Sequence, residues 1–99
     1  MITEALLARP ERFDLGMIVA TPAALAALDG DPRRAAALLA RHVRGEGGDL
    51  CPEDRLANTE AIKLGGRVLS VYKQPEGETV WIITEADRSV TTILTPDDY

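Results

Sequence analysis

The spacing of apolar positions changes period near residue 66. Ahead of that point, Ala35, Leu38, Leu39, His42 and Val43 stand at i, i+3, i+4, i+7 and i+8, one stripe of a helix that opens at Asp31-Pro32 and closes at Gly45. Thr21-Pro22 makes the same kind of start, a capping side chain followed by a proline at a position whose N–H would have no partner anyway. It predicts a short helix running to Leu28 and stopping at Gly30. Cys51-Pro52-Glu53-Asp54 opens a third helix, with acids in the first turn where the helix dipole favours them, and that helix ends near Gly65-Gly66.

Beyond Gly66 the period is 2. Val68, Ser70 and Tyr72 alternate with Leu69, Val71 and Lys73; Gln74-Pro75-Glu76-Gly77 makes a hairpin loop; Thr79 to Thr84 follows, with Trp81 and Ile83 on one face and Val80 and Ile82 on the other. A tight turn at Ala86-Asp87-Arg88 leads into Ser89 to Thr95. The expected fold is therefore α+β: two or three N-terminal helices followed by a three-stranded antiparallel meander, with Trp81 on the middle strand packed against the Leu38 and Leu39 helix. Leu15-Gly16-Met17-Ile18-Val19-Ala20 is β-branched and brief enough for a short extra strand ahead of the helices. Met1 to Arg12, interrupted by Pro10, reads as a helical turn or two or as a frayed terminus.

Ninety-nine residues make one domain, and a domain this small buries only roughly 60–65% of the surface its unfolded chain exposes, so a shallow site or a binding face is expected over a deep pocket. The single cysteine, Cys51, has no partner for an internal disulfide, and no apolar run reaches the length of a signal peptide or a bilayer span, which points to a cytoplasmic protein with no membrane anchor. Sixteen acids against eleven bases give a formal charge of −5, which repels phosphate backbones and disfavours nucleic acid as a partner. The distribution is uneven, however: Arg33, Arg34, Arg41 and Arg44 lie on or beside the second helix with no acid among them, either a local basic face or a solvated surface whose arginines pair with acids elsewhere.

Candidate chemistry is sparse. One His and one Cys cannot build a four-ligand zinc site, and Asp49, Glu53 and Asp54 lack calcium-loop spacing, so neither a metal nor another cofactor is expected. The Gly45-Glu46-Gly47-Gly48-Asp49 loop has no Lys-Ser/Thr after it and carries two acids, so it does not read as a phosphate cradle. His42 lies in register with the core stripe, where a buried, hydrogen-bonded histidine is the ordinary outcome, yet it is the one near-neutral general base in the chain. Asp54 and Asn58 stand one helical turn apart and either bind a partner or cap the preceding loop. Glu85, Asp87 and Arg88 sit in a tight turn between strands with Thr91 and Thr92 close by; they form either a soluble turn with an internal ion pair or a small polar site on rigid scaffolding.

The stretches GMIVATPAAL, ARHVRGEGGDLCPEDRLANTEAIKLGGRVLSVY and WIITEADRSVTTILTPDDY resemble a family of small uncharacterised proteins of bacterial plasmids, integrative elements and prophages. The likeness covers about four-fifths of the chain. Where the family pattern has an aspartate and a tryptophan after the arginine-histidine helix, this chain has Glu46 and Gly47; from Trp81 to Tyr99 it follows the pattern without interruption. The resemblance implies an accessory or protein-interaction role in a mobile element and no particular mechanism. On that reading the Gly45–Asp49 loop, the Asp54 and Asn58 helix face and the Glu85, Asp87 and Arg88 turn contact a protein partner. The alternative is a small barnase-like or RelE-like ribonuclease, since helices leading into an antiparallel sheet is the order in such enzymes. There His42 or Glu85 would act as base, Arg88 would steady the phosphate, and Thr91 or Thr92 would orient it.

Overall fold

The computed structural model describes residues 11–99; the helical turn or frayed end expected at Met1–Arg12 lies outside them except for its last two residues. Strand β1 (Met17–Ala20) is followed by three helices, α1 (Pro22–Ala27), α2 (Pro32–Val43) and α3 (Pro52–Leu64). Strands β2 (Val68–Lys73), β3 (Thr79–Thr84) and β4 (Val90–Leu94) and a 3-10 turn (Pro96–Asp98) complete the chain. The helix starts use the side chains the sequence offers: Thr21 Oγ1 accepts from Ala24 N at 3.1 Å and Asp31 Oδ1 from Arg33 N at 2.9 Å. Gly65 ends α3 in the left-handed conformation, with φ of 83°.

The expectation of N-terminal helices followed by a separate three-stranded antiparallel meander is corrected here. The described chain begins with a strand, and that strand joins the later three in one mixed sheet of order β1-β4-β3-β2, with β1 parallel to β4 and the other pairs antiparallel. Local patterning marks Leu15–Ala20 as a strand candidate but carries no information about a partner so far along the chain. A parallel pair needs a long crossover, and here everything from α1 to β3 forms it. Gly16 fixes the junction: it holds φ of 64°, and a Cβ on it would overlap the Arg88 and Ser89 carbonyls that β1 approaches. Met17 N then donates to Ser89 O, and Thr21 N to Ile93 O, both at 2.9 Å.

The core lies between the helices and one face of the sheet. Ala24, Ala27 and Leu28 of the α1 segment meet Tyr72, Val80, Ile82 and Ile93, with Ala35, Leu38 and Leu39 of α2 packed against them. Burying each of the larger aliphatic side chains contributes roughly 1.5–3 kcal/mol, and the small alanines let α1 lie close to the strands. Trp81 is not part of this core. Its neighbours Val80 and Ile82 point at the helices, so the alternation of the strand turns Trp81 to the opposite face, where it is half-buried.

The free edge of β2 is closed by the glycine loop. Gly48 bridges to Val71; Val71 N donates to Gly47 O at 3.1 Å, Asp49 N donates to Val71 O at 2.6 Å, and the Asp49 carboxylate accepts from Lys73 N at 2.9 Å. Gly48 has φ of 67°, and a Cβ there would overlap the Val71 carbonyl and the Tyr72 ring. Gly48→Ala should therefore cost about 2–4 kcal/mol, combining a left-handed backbone with loss of the edge pairing, and thermal melts check it. A melting temperature equal to the parent's would show that the loop can leave β2 without penalty. Among the described residues no helix is long and apolar enough to cross a membrane.

Candidate functional site

The charged turn is tied to the body of the protein by Arg88. Its guanidinium donates to the carbonyls of Gly66, Glu85 (3.1 Å) and Ala61 (3.3 Å) and lies 5.4 Å from the Phe13 ring. These bonds bring the C-terminal end of α3 onto the β3–β4 turn and hold Arg88 itself at φ of 61°, a conformation uncommon for a residue with a Cβ. The fork of donors that a ligand would need is thus occupied by backbone carbonyls. Asp87 Oδ1 accepts from Ser89 N at 3.0 Å, and that side chain's bonds to Ser89 hold its carboxyl below the usual range. Glu85 instead turns toward Arg67, with 3.5 Å between the charged groups.

His42 is fully buried in a chain of hydroxyls. Thr91 Oγ1 donates to Leu15 O at 2.7 Å, so Thr84 must donate to Thr91 across 2.7 Å, and the Thr84 oxygen then accepts from His42 Nε2 at 2.9 Å. That leaves Nδ1 as an acceptor for the Ser70 hydroxyl at 2.6 Å. The chain of single donors fixes one neutral tautomer, and burial pushes the imidazole pKa down to about 4. Phe13 meets the ring edge-on at 5.2 Å. The network links the segment just ahead of β1 with α2, β2, β3 and β4, but His42, Ser70, Thr84 and Thr91 are all shut off from solvent. The base and one of the threonines considered for a ribonuclease are thus brought together through Thr84; Thr92 lies on the opposite face of β4, and Glu85 and Arg88 are held elsewhere.

The remaining polar candidates separate in the same way. Asn58 is buried, and its Oδ1 accepts from Leu69 N at 2.8 Å, whereas Asp54 is exposed in the first turn of α3. Asp49 is committed to the β2 edge. Arg55, absent from the expected set, donates to the carbonyls of Glu46, Gly48 and Leu50 and braces the glycine loop from α3. The arginines of α2 find acids: Arg33 pairs with Asp31 at 3.3 Å, Arg34 with Asp29 at 2.6 Å, and Arg41 with Glu46 at 2.9 Å, so no concentrated basic face forms from these three.

What stays partly open is the sheet face turned away from the core helices, where Leu69, Val71, Trp81 and Thr92 are half-buried and Val19 is exposed, while Ile83 and Leu94 are buried. Register aligns Val71, Trp81 and Leu94 in one row and Leu69, Ile83, Thr92 and Val19 in the next, so the two rows are apolar except for one threonine. Tyr99 folds over one side, its ring 5.5 Å from that of Trp81 and its hydroxyl accepting from Arg67 at 2.9 Å. The 3-10 turn that aims Tyr99 is fixed by Asp98, whose carboxylate accepts from Thr21 Oγ1 at 2.6 Å and from Thr95 N at 3.0 Å. Arg67, Leu69, Trp81, Ile83 and Tyr99 line a shallow cavity of about 330 Å³, with Glu85 beside Arg67. Two aromatic rings, aliphatic walls and one paired cation suit the docking of an apolar side chain.

Sequence reasoning placed Trp81 in the core, read Leu69 and Val71 only as alternating strand positions, and left Arg67 unremarked. The available signal was the inward alternation Val68-Ser70-Tyr72, which puts a lone serine on the helix side, where the only histidine needs a partner, and sends Leu69, Val71 and Trp81 the other way. Compared with protein-family models, curated proteins and solved structures, the chain matches none.

Proposed function

We propose that this chain is a noncatalytic protein-interaction module, an accessory protein of a bacterial mobile element as the resemblance implies, and that it binds its partner through the sheet face around Trp81. The observation that carries the reading is the apolar patch of half-buried Leu69, Val71 and Trp81 alongside buried Ile83 and Leu94, with the core helices on the other side of the sheet. Contiguous apolar surface rimmed by polar groups is what protein-binding faces present. The acidic charge and small core agree with a binding role, and Glu85, paired with Arg67, keeps the charged turn at the rim of the same surface. No observation favours the ribonuclease reading, because the one near-neutral base is sealed in the core.

Affinity capture from the native cell tests this. Val71→Lys puts a charge beside Trp81 at the β2 end of the face, at a half-buried position, and it should reduce recovered partner at least tenfold while the chain still melts cooperatively. Asp54→Ala, on the exposed start of α3, should leave recovery unchanged. Loss with Asp54→Ala and retention with Val71→Lys would move the binding surface to α3.

A further inference from the structure

The two edges of the sheet are treated differently. The β2 edge is covered by Gly47–Asp49, whereas β1 stands at the other end of the sheet order, and among the described residues nothing pairs with its outer side. Met17 N and Thr21 N point into the sheet toward Ser89 O and Ile93 O. The alternation of a parallel ladder therefore turns the N–H and C=O groups of Ile18 and Ala20 outward. Met17–Ala20 contains no charge and no proline, the two usual protections of a free edge, and its side chains are open: Met17 is 68%, Ile18 49% and Val19 39% exposed. On the helix side the edge borders an apolar groove of about 300 Å³ whose walls include Ile18, Leu25, Ala36 and Leu39.

We infer that β1 is a self-association edge, and that a second copy of this chain pairs with it antiparallel about a two-fold axis at Val19. The backbone is self-complementary in that register. Ile18 of each copy stands opposite Ala20 of the other, so their outward N–H and C=O groups exchange four hydrogen bonds. The side chains agree with it: Ile18 of one copy and Ala20 of the other fall on the helix side, large against small, and the incoming isoleucine enters the groove beside Ala20. On the opposite face Val19 meets its own counterpart, with no like charges brought together along the strand. The result is a continuous sheet with the helices of both copies on one side. Four residues per copy bury less than the roughly 800 Å² per partner of a standard interface, so the pairing is reversible and concentration-dependent.

Sedimentation equilibrium of the full chain from about 10 µM to 1 mM reads this directly, the mass rising from 10.7 kDa toward twice that value. Val19→Lys sets two ammonium groups against each other across the axis, and Val19→Glu does the same with carboxylates; each variant alone should remain a monomer at concentrations where the parent is mostly dimeric. An equimolar mixture of the two should recover the dimer, because opposite charges then meet. Circular dichroism melts confirm that both variants fold. A parent that stays monomeric up to 1 mM overturns the inference, as does a dimer that neither charge weakens or a pair of variants whose mixture stays monomeric. A monomeric parent that instead takes up an added extended apolar peptide, with the uptake lost in Val19→Lys, assigns the edge to a foreign strand and equally overturns it.

Discussion

An Arg88→Ala chain should melt roughly 12–24 °C below the parent, a loss of about 3 kcal/mol in a domain where each kcal/mol moves the midpoint by roughly 4–8 °C. The guanidinium is partly buried and satisfies three carbonyls, one from the turn and two from the end of α3, so its removal leaves those acceptors without their donor. It also removes the cation lying near the Phe13 ring, which packs on His42. Arg88→Lys should recover only part of the loss, since one ammonium cannot span carbonyls that a planar fork reaches together. A change within about 0.5 kcal/mol for Arg88→Ala would mean that the α3–turn junction is held by packing alone and that the arginine is free for another purpose.

The parent should lose about 3 kcal/mol of stability between pH 6.5 and pH 4 through His42 alone. The folded imidazole has its pKa depressed to about 4 by burial, while the unfolded chain binds the proton near 6.5. In the interval between, the unfolded state takes up more protons than the folded one, so stability is fully present above pH 6.5, declines as pH falls, and levels off below about 4. No carboxylate is among the ring's hydrogen-bond partners to stabilise the charged form: they are Ser70 and Thr84, with Phe13 against the ring edge. His42→Gln should be less stable at pH 8, because the Ser70–Thr84 link is altered, but its stability should fall less steeply between pH 6.5 and 4. Urea unfolding at half-unit pH steps measures both slopes, and parallel slopes would place the acid sensitivity on other groups.

Helix boundaries were legible because their signals are local. Thr21, Asp31 and Gly65 act within a few residues of where they stand, and the Leu38, Leu39, His42 and Val43 stripe needs only helical geometry. The burial of His42 was legible for the same reason, as a residue in register with core positions. The sheet was less so. Nothing near Met17–Ala20 announces Val90–Ile93 as its partner, and that pairing turns an antiparallel meander into a mixed sheet. Trp81 was misplaced because both faces of β3 are apolar, and the packing of α1 and α2, not the strand's own pattern, decides which face becomes core. Of the candidate site, residue types alone could not distinguish a side chain that meets a partner from one that ties the chain to itself. Asp49 and Arg88 are polar residues of loops and Asn58 one of a helix, and each is spent on a backbone group of a neighbouring element. The Gly45–Asp49 loop, read as a partner contact, is in fact packed against its own chain: Leu50 stands over Gly47, and Val71 and Tyr72 over Gly48.

Trp81 is the only tryptophan of the chain and sits in the middle of the proposed binding face, so its fluorescence reports on that face without a label. Acrylamide quenching of the half-buried indole, measured for the free protein and for the protein with its captured partner bound, is the most direct measurement available. Partner binding through the sheet face should lower the quenching constant severalfold and shift the emission to shorter wavelength as the indole loses water. An unchanged quenching constant and emission maximum, with the partner shown to be bound in the same sample, would contradict the assignment of this face as the binding surface.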